Sequence, residues 1–198
     1  LQISRLQQRR MLIESLEDRS LMATVSWTGS VDGNWSNGAN WSGGSPVAGD
    51  DVVFDSANLT GAAVVATTQD IGSLSLSSIT FQGSSTFGVN ITAPDLSITG
   101  DITDNSAGDD TFSGNTLAFT GASAQRIFGN GTQTFSGPVT AATTFGRINN
   151  GGTTNFSAGL SGTNFYVSGG TVNFNSGATV VLSADLSAGA NASFLPGG

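Results

Sequence analysis

The chain has 198 residues, 28 of them glycine, with 10% charged residues and a formal net charge of −8. This acidic and weakly charged composition argues against binding to nucleic-acid phosphates, since a typical soluble domain carries roughly 25% charged residues. The sequence contains no cysteine and no histidine, which excludes disulfides, thiolate zinc sites and Ser-His-Asp or Cys-His catalysis.

Residues 1–23 differ in composition from the rest of the chain. They contain both glutamates and four of the six basic residues, and Leu12 and Leu16 recur at helical spacing. Glu14 and Glu17 interrupt the apolar run, so the segment lacks the roughly 7–15-residue apolar stretch of an ordinary secretory signal. A frayed amphipathic helix or a disordered tail is one interpretation of this leader, and a targeting segment is the other.

The end of the leader carries a short motif, which consists of Leu16, Glu17, Asp18, Arg19, Ser20, Leu21 and Met22. It resembles the LEPR-XLL sorting segment at the start of many large surface proteins of planctomycete bacteria. Asp18 stands where proline is commoner in that segment, and Met22 stands where leucine is commoner. The resemblance covers about 15 of the 198 residues. It implies export to the cell surface and says nothing about activity.

Residues 24–71 are rich in tryptophan and turn-forming residues. Trp27, Trp35 and Trp41 are separated by Asn, Gly and Ser, and Val52 to Phe54 is a predicted buried strand. Each indole can bury roughly 150–250 Å², so we expect the three rings to cap one end of a β-stack. The alternative is that exposed indole faces stack on sugar rings.

The same segment shows a second resemblance. The order Trp27, Asn34-Trp35, Asn40-Trp41, Pro46 and then Asp50 to Phe54 is similar to the unit that opens autotransporter-associated β-strand repeats in bacterial passenger-like surface proteins. This resemblance covers roughly residues 25–85. It implies a surface protein built from such repeats.

Residues 72–198 alternate short apolar segments with Gly, Asn and Ser turns, as in Leu74 to Leu76 and Val172 to Phe174. Phenylalanines recur after 16, 21 and 18 residues, at Phe119, Phe135, Phe156 and Phe174. A β-sandwich would show longer strands, whereas these short segments suit stacked rungs. The predicted fold is all-β, a right-handed, single-stranded parallel β-helix (β-solenoid). Its last residues lack a capping element, so we expect the solenoid to be truncated there.

An acidic loop is the candidate for chemistry. Asp104, Asp109 and Asp110 lie close together in the sequence, and Arg126 would follow one rung later. Some β-helix lyases and hydrolases use clustered aspartates, calcium and a basic residue, but a solvated turn explains these residues more simply. We therefore predict no catalytic residue.

Calcium is the one cofactor for which the acidic residues of the sequence offer candidate ligands. Its ligands would come from Asp50, Asp51 and Asp55, or from the stretch between Asp101 and Asp110. Neither stretch has the spacing of an EF-hand loop or of the calcium-binding nonapeptide repeat. We therefore predict no metal site and no cofactor.

The predicted function is that of an exported structural or adhesin-like protein at the cell surface or outside the cell, without catalytic activity. The alternative is a carbohydrate-binding or polysaccharide-degrading β-helix protein. The expected partners are cell-surface or extracellular polysaccharides or other surface proteins. No nucleic acid is expected, and no integral membrane segment, because the sequence has no run of about 18 apolar residues.

Overall fold

The computed structural model describes residues 22–59, 64–83, 87–106, 108–148, 152–184, 186–188 and 192–196. The predicted leader therefore lies almost entirely outside the described residues. Met22 and Ala23 are its two described members, and the side chain of Met22 is 73% exposed.

Short strands dominate the described residues. They are β1 (Thr24–Ser26), β2 (Asp51–Asp55), β3 (Val64–Thr68), β4 (Leu74–Leu76), β5 (Ser78–Gln82), β6 (Gly88–Ile98), β7 (Ile102–Asp104), β8 (Asp109–Phe119), β9 (Gln125–Gly129), β10 (Thr132–Phe135), β11 (Val139–Ile148), β12 (Thr153–Phe156), β13 (Gly159–Val167), β14 (Gly170–Phe174), β15 (Thr179–Leu182), β16 (Leu186–Ala188) and β17 (Ala192–Pro196). Two single-turn 3₁₀ helices, Gly38–Asn40 and Ser56–Asn58, lie between β1 and β3. No described helix is long and apolar enough to cross a membrane.

The strands form three parallel stacks, and the chain visits the stacks in the same order on each coil. Stack A contains β1, β2, β5, β7, β9, the second part of β11, the second part of β13, and β16. Stack B contains β3, the first part of β6, the first part of β8, β10, β12, β14 and β17. Stack C contains β4, the second parts of β6 and β8, the first parts of β11 and β13, and β15.

Every pairing between the described strands is parallel, so the prediction of a parallel β-solenoid is confirmed. The antiparallel contact in the described part is an isolated bridge between Trp27 and Trp41. In-register stacking already includes β2 and β3, which lie before residue 72.

Alternation along each strand separates the core from the surface. In β2, Val52 and Phe54 are buried, while the residues on either side of them are partly exposed. Inward residues of successive coils lie in register, and aromatic rings form ladders. The ring centroids of Phe112, Phe135, Phe156 and Phe174 are 5.1, 5.4 and 5.5 Å apart in that order. Each coil therefore buries its apolar side chains against the coils before and after it, which a single coil could not do.

The predicted phenylalanine spacing is correct for two of its three steps. Phe135, Phe156 and Phe174 are in register in stack B. Phe119 is not their predecessor, because it lies in stack C opposite Ala141. Phe112 takes that place in stack B. The earlier coils are longer than the sequence periods suggest, because turns of variable length join the strands. Val52, for example, pairs with Ile79, a step of 79 − 52 = 27 residues.

Residues 22–50 form an irregular first coil on top of the regular ones. β1 pairs with β2 in stack A, and the Trp35 amide donates to the Thr68 carbonyl in stack B at 2.9 Å. The Gly49 amide donates to the Ser75 carbonyl in stack C at 2.8 Å. The first coil thus contacts all three stacks and covers the edge of β2, β3 and β4.

Candidate functional site

The three tryptophans form one buried cluster in the first coil. Trp27, Trp35 and Trp41 are 1%, 0% and 5% exposed. Trp41 meets Trp27 and Trp35 edge to face, with ring centroids 4.8 and 5.3 Å apart. The centroids of all three rings also lie within 6.2 Å of the centroid of the Phe54 ring, which belongs to β2 in the next coil. The cluster leaves no exposed indole face for a sugar ring, so its geometry favours a cap.

Two of the three indole N–H groups are satisfied inside the cap. Trp35 Nε1 donates to Thr67 Oγ1, and Trp41 Nε1 donates to the Trp35 carbonyl, both at 3.0 Å. Trp27 Nε1 is buried and has no protein acceptor in the described residues. A buried donor without a partner costs free energy, so Trp27 contributes apolar area rather than a polar contact.

Asn40 organises the loops that hold the tryptophans. Its Oδ1 accepts from the amides of Val31 and Asp32 at 2.9 and 3.1 Å, and its Nδ2 donates to Asp32 Oδ1 at 2.7 Å and to the Asn34 carbonyl at 2.9 Å. Hydrogen bonds from Asn34, Asn37 and Asn40 lower the pKa of Asp32. The sequence around Asn40 is typical of a turn and does not predict this role, because an asparagine in a turn does not show which backbone groups its side chain will contact.

The acidic loop places two of its three aspartates inside the solenoid. Asp104 and Asp110 are both 0% exposed, and their carboxyl groups lie within hydrogen-bonding reach of each other. Ser106 donates to Asp104 Oδ1 from its amide at 2.9 Å and from its hydroxyl at 2.6 Å. Gln133 Nε2 donates to Asp104 Oδ2. The Val89 amide donates to Asp110 Oδ1 at 2.8 Å.

Burial determines the protonation of this pair. Burial, followed by the charge of Asp104, raises the pKa of Asp110 to about 8. Burial also raises the pKa of Asp104, against the effect of hydrogen bonds from Ser106 and Gln133. Asp110 Oδ2 faces no protein donor in the described residues. With a pKa of about 8, Asp110 keeps its proton near neutral pH, which avoids two adjacent buried negative charges.

The pair belongs to a polar column in the core. In stack B, Asp110, Gln133 and Thr154 are in register on successive coils, all buried. Thr154 Oγ1 lies 3.5 Å from Gln133 Oε1. Gly131 lies against the Asp104 carboxyl group, where a Cβ atom would overlap with Oδ2. The sequence suggested a solvated turn for these aspartates; that interpretation is wrong for Asp104 and Asp110, whose side chains point into the core.

Asp109 and Arg126 do not join the pair. Asp109 is exposed on the outer side of stack B. Arg126 lies on the outer side of stack A, where its Nη2 is 3.2 Å from Asp101 Oδ2 and its guanidinium carbon is 4.7 Å from the Phe128 ring centroid. The four residues that the sequence grouped as a catalytic alternative therefore lie in three different environments, and Asp104 and Asp110 are buried.

The first group of candidate calcium ligands, Asp50, Asp51 and Asp55, forms hydrogen bonds with different protein groups. Asp50 is buried and accepts from the amides of Ala23 and Val47 at 3.0 and 2.9 Å. Asp51 accepts from Ser78 Oγ at 2.5 Å, and Asp55 accepts from Gln82 Nε2 at 2.8 Å. Within the described ranges, no group of three or more acidic, histidine or cysteine side chains could hold a metal ion.

A regular polar pattern, which the sequence alone does not reveal, covers the outer side of stack B. We call it the polar face. It consists of two columns, a first column of Thr132, Thr153 and Thr171 and a second column of Thr134, Asn155 and Asn173. All six residues are partly exposed. Asn155 Nδ2 donates to Thr134 Oγ1 at 3.1 Å, and Asn173 Nδ2 donates to Asn155 Oδ1 at 2.7 Å.

Comparison with known proteins gives no relative: no family model, no curated protein and no solved structure matches the chain. Its function must therefore be inferred from its own residues.

Proposed function

We propose that the chain is an exported, non-catalytic protein of the cell surface or extracellular space, in which the solenoid is a rigid structural or adhesive scaffold. The observation that carries the proposal is the continuous parallel stacking, with apolar columns inside and polar columns outside. Such a body gains length and lateral surface with each coil. Weak contacts repeated on successive coils can then add up to firm attachment.

The position of the acidic pair supports a scaffold rather than an enzyme. A glycoside hydrolase needs two carboxyl groups on either side of an accessible sugar bond. Asp104 and Asp110 are instead buried between coils and hydrogen-bonded to core residues. The leader motif, Leu16 to Met22, supports export through its resemblance to a sorting segment.

The test is localisation in a planctomycete host. Antibodies against residues 24–198 should label intact cells that make the wild-type chain. A variant with Leu16→Ala and Leu21→Ala should lose surface labelling, whereas a variant with Gln7→Ala and Gln8→Ala, outside the motif, should keep it. Recovery of the wild-type chain in the cytosol, or equal labelling of both variants, would contradict the proposal.

A further inference from the structure

The polar face carries an inference about the partner of this scaffold, and it rests on the proposed function. We propose that the polar face of stack B binds a neutral, hydroxyl-rich polysaccharide that lies flat across successive coils. The first column, Thr132, Thr153 and Thr171, makes the principal contacts, and the second column lies beside it.

The chemistry of the face matches that of sugar hydroxyls. A threonine hydroxyl donates one hydrogen bond and accepts two, and an asparagine amide offers two hydrogens and an acceptor oxygen. The bond from Asn155 to Thr134, and that from Asn173 to Asn155, each use one amide hydrogen. These bonds hold the side chains of the second column in place. Asn173 Oδ1 is buried, so the hydroxyl groups of the first column are the main groups offered to a ligand. A face ordered before binding loses little conformational entropy on binding.

The geometry of the face is a regular lattice. Parallel strands lie roughly 4.7–4.9 Å apart, and side chains two residues apart on one strand are separated by roughly 6.6 Å. Thr132, Thr153 and Thr171 are in register at the first of these spacings. Repeated groups at a fixed spacing suit a polymer that also repeats, since each unit can make the same weak contact and the contacts add.

The distribution of charge indicates a neutral partner. The two columns of the polar face contain no charged residue, and Asp109, in register with Thr132 on the preceding coil, is their nearest charged neighbour in stack B. Stack A carries charged residues on its outer side, among them Asp51, Asp101 and Arg126. An anionic polymer would be repelled by a chain of net charge −8.

Stack A offers a different outer surface, which serves as the internal comparison. Tyr166 is 39% exposed on that side, in register with Gly146, which is itself in register with Arg126. Aromatic rings can stack on sugars, so a Tyr166 variant distinguishes stack A from stack B as the binding surface.

The experiment measures retention of the purified full-length chain on suspended cellulose and chitin, with alginate beads as an anionic comparison. The test variant combines Thr132→Val, Thr153→Val and Thr171→Val, which removes three hydroxyl groups while keeping side-chain shape and strand propensity. The control variant combines Thr80→Val and Thr103→Val, two partly exposed positions in register in stack A. Y166A is the second control, and circular dichroism checks that each variant is folded.

We expect at least one of the two neutral polymers to retain the wild type, and the amount retained should change little between low and high salt. Alginate beads should not retain it. The triple variant should bind roughly tenfold more weakly, and both controls should bind as the wild type does. The proposal is wrong if neither neutral polymer retains the chain, if retention requires low salt or alginate, if the triple variant binds normally, or if Y166A alone abolishes binding. Each of these outcomes is independent of where the chain is located in cells, so the localisation test can fail or succeed separately.

Discussion

The carboxyl group of Asp110 lies against that of Asp104 in the interior of the solenoid, and neither side chain is exposed to solvent. Two neighbouring buried carboxyl groups cannot both be charged without a large electrostatic cost, so Asp110, with its raised pKa, keeps a proton near neutral pH. This pair makes the stability of the middle coils depend on pH. Asp109 is the other charged group that contributes to the pKa of Asp110.

The first prediction concerns the pH dependence of unfolding. The pKa of Asp110 is about 8 in the folded chain and close to its model value of 3.8 in the unfolded chain. Between these values the folded state holds more protons than the unfolded state, so the free energy of unfolding should fall as the pH rises, by roughly 1 kcal/mol for each pH unit. The raised pKa of Asp104 acts in the same direction. Urea unfolding at pH 5, 7 and 9 measures this, and a free energy that rises over that range would contradict it.

The second prediction assigns the pH dependence to Asp110. In Asp110→Asn the side-chain oxygen still accepts from the Val89 amide, and the new amide donates to Asp104. The variant should therefore lose most of the fall in stability between pH 5 and 9 and should exceed the wild type at pH 9. Asp109→Asn makes the same change in net charge on the outer surface. Because the charge of Asp109 is the smallest of the contributions that raise the pKa of Asp110, this variant should keep most of the wild-type fall in stability. Identical pH profiles for the two variants would show that the Asp104–Asp110 pair does not cause the pH dependence of stability.

The third prediction separates hydrogen bonding from volume in the tryptophan cap. Trp27→Phe and Trp35→Phe remove the same atoms from two fully buried rings. Trp35→Phe also removes the donor to Thr67 Oγ1, whereas the Trp27 N–H has no protein acceptor in the described residues. Trp35→Phe should therefore be the more destabilising by about 1 kcal/mol. Thermal and urea unfolding of both variants provide the comparison; equal losses would show that the Thr67 contact contributes nothing.

The fourth prediction concerns the close approach of Gly131 to Asp104. A Cβ atom at this position would overlap with the Asp104 carboxyl group, so Gly131→Ala should destabilise the chain by about 1–3 kcal/mol through overpacking. Gly43→Ala is the control, since a Cβ atom there would meet only Val25 Cγ1, at 3.4 Å. The midpoint of urea unfolding should fall for the first variant and stay within error for the second. A stable Gly131→Ala variant would mean that the carboxyl group can move aside.

The sequence contains enough information to predict the architecture. Strands such as Val52 to Phe54 alternate buried and exposed residues, and one coil buries too little apolar surface to be stable alone, so parallel stacking follows. The register does not follow as easily. Turns of different length make the coils unequal, so spacing alone predicts Phe119 at the position in stack B that Phe112 occupies. Periodicity alone does not show where a coil turns.

The candidate sites were harder to predict than the fold. Asp104 and Asp110 lie in a stretch rich in Asn, Ser and Gly, which is typical of a solvated turn, yet both side chains are buried. The alternation of buried and exposed residues along β8 predicts that the Asp110 side chain points inward, since Phe112 follows two residues later on the same side of the strand. The polar face depends on register between coils 18–21 residues apart, and such a pattern becomes visible only when the coils are aligned.

The coils lie in register in parallel stacks, and disulfide trapping tests this arrangement directly because the chain has no cysteine. T132C with T153C joins two positions that are paired in stack B, at a spacing that a disulfide can span. In T132C with T154C, the second cysteine lies next to position 153 in β12, where the side chain points to the inner side of the solenoid. Under mild oxidation at low concentration, the first double variant should form an intramolecular disulfide and the second should stay reduced. Cross-linking of the second pair and not the first, or of neither, would contradict the stacked parallel fold.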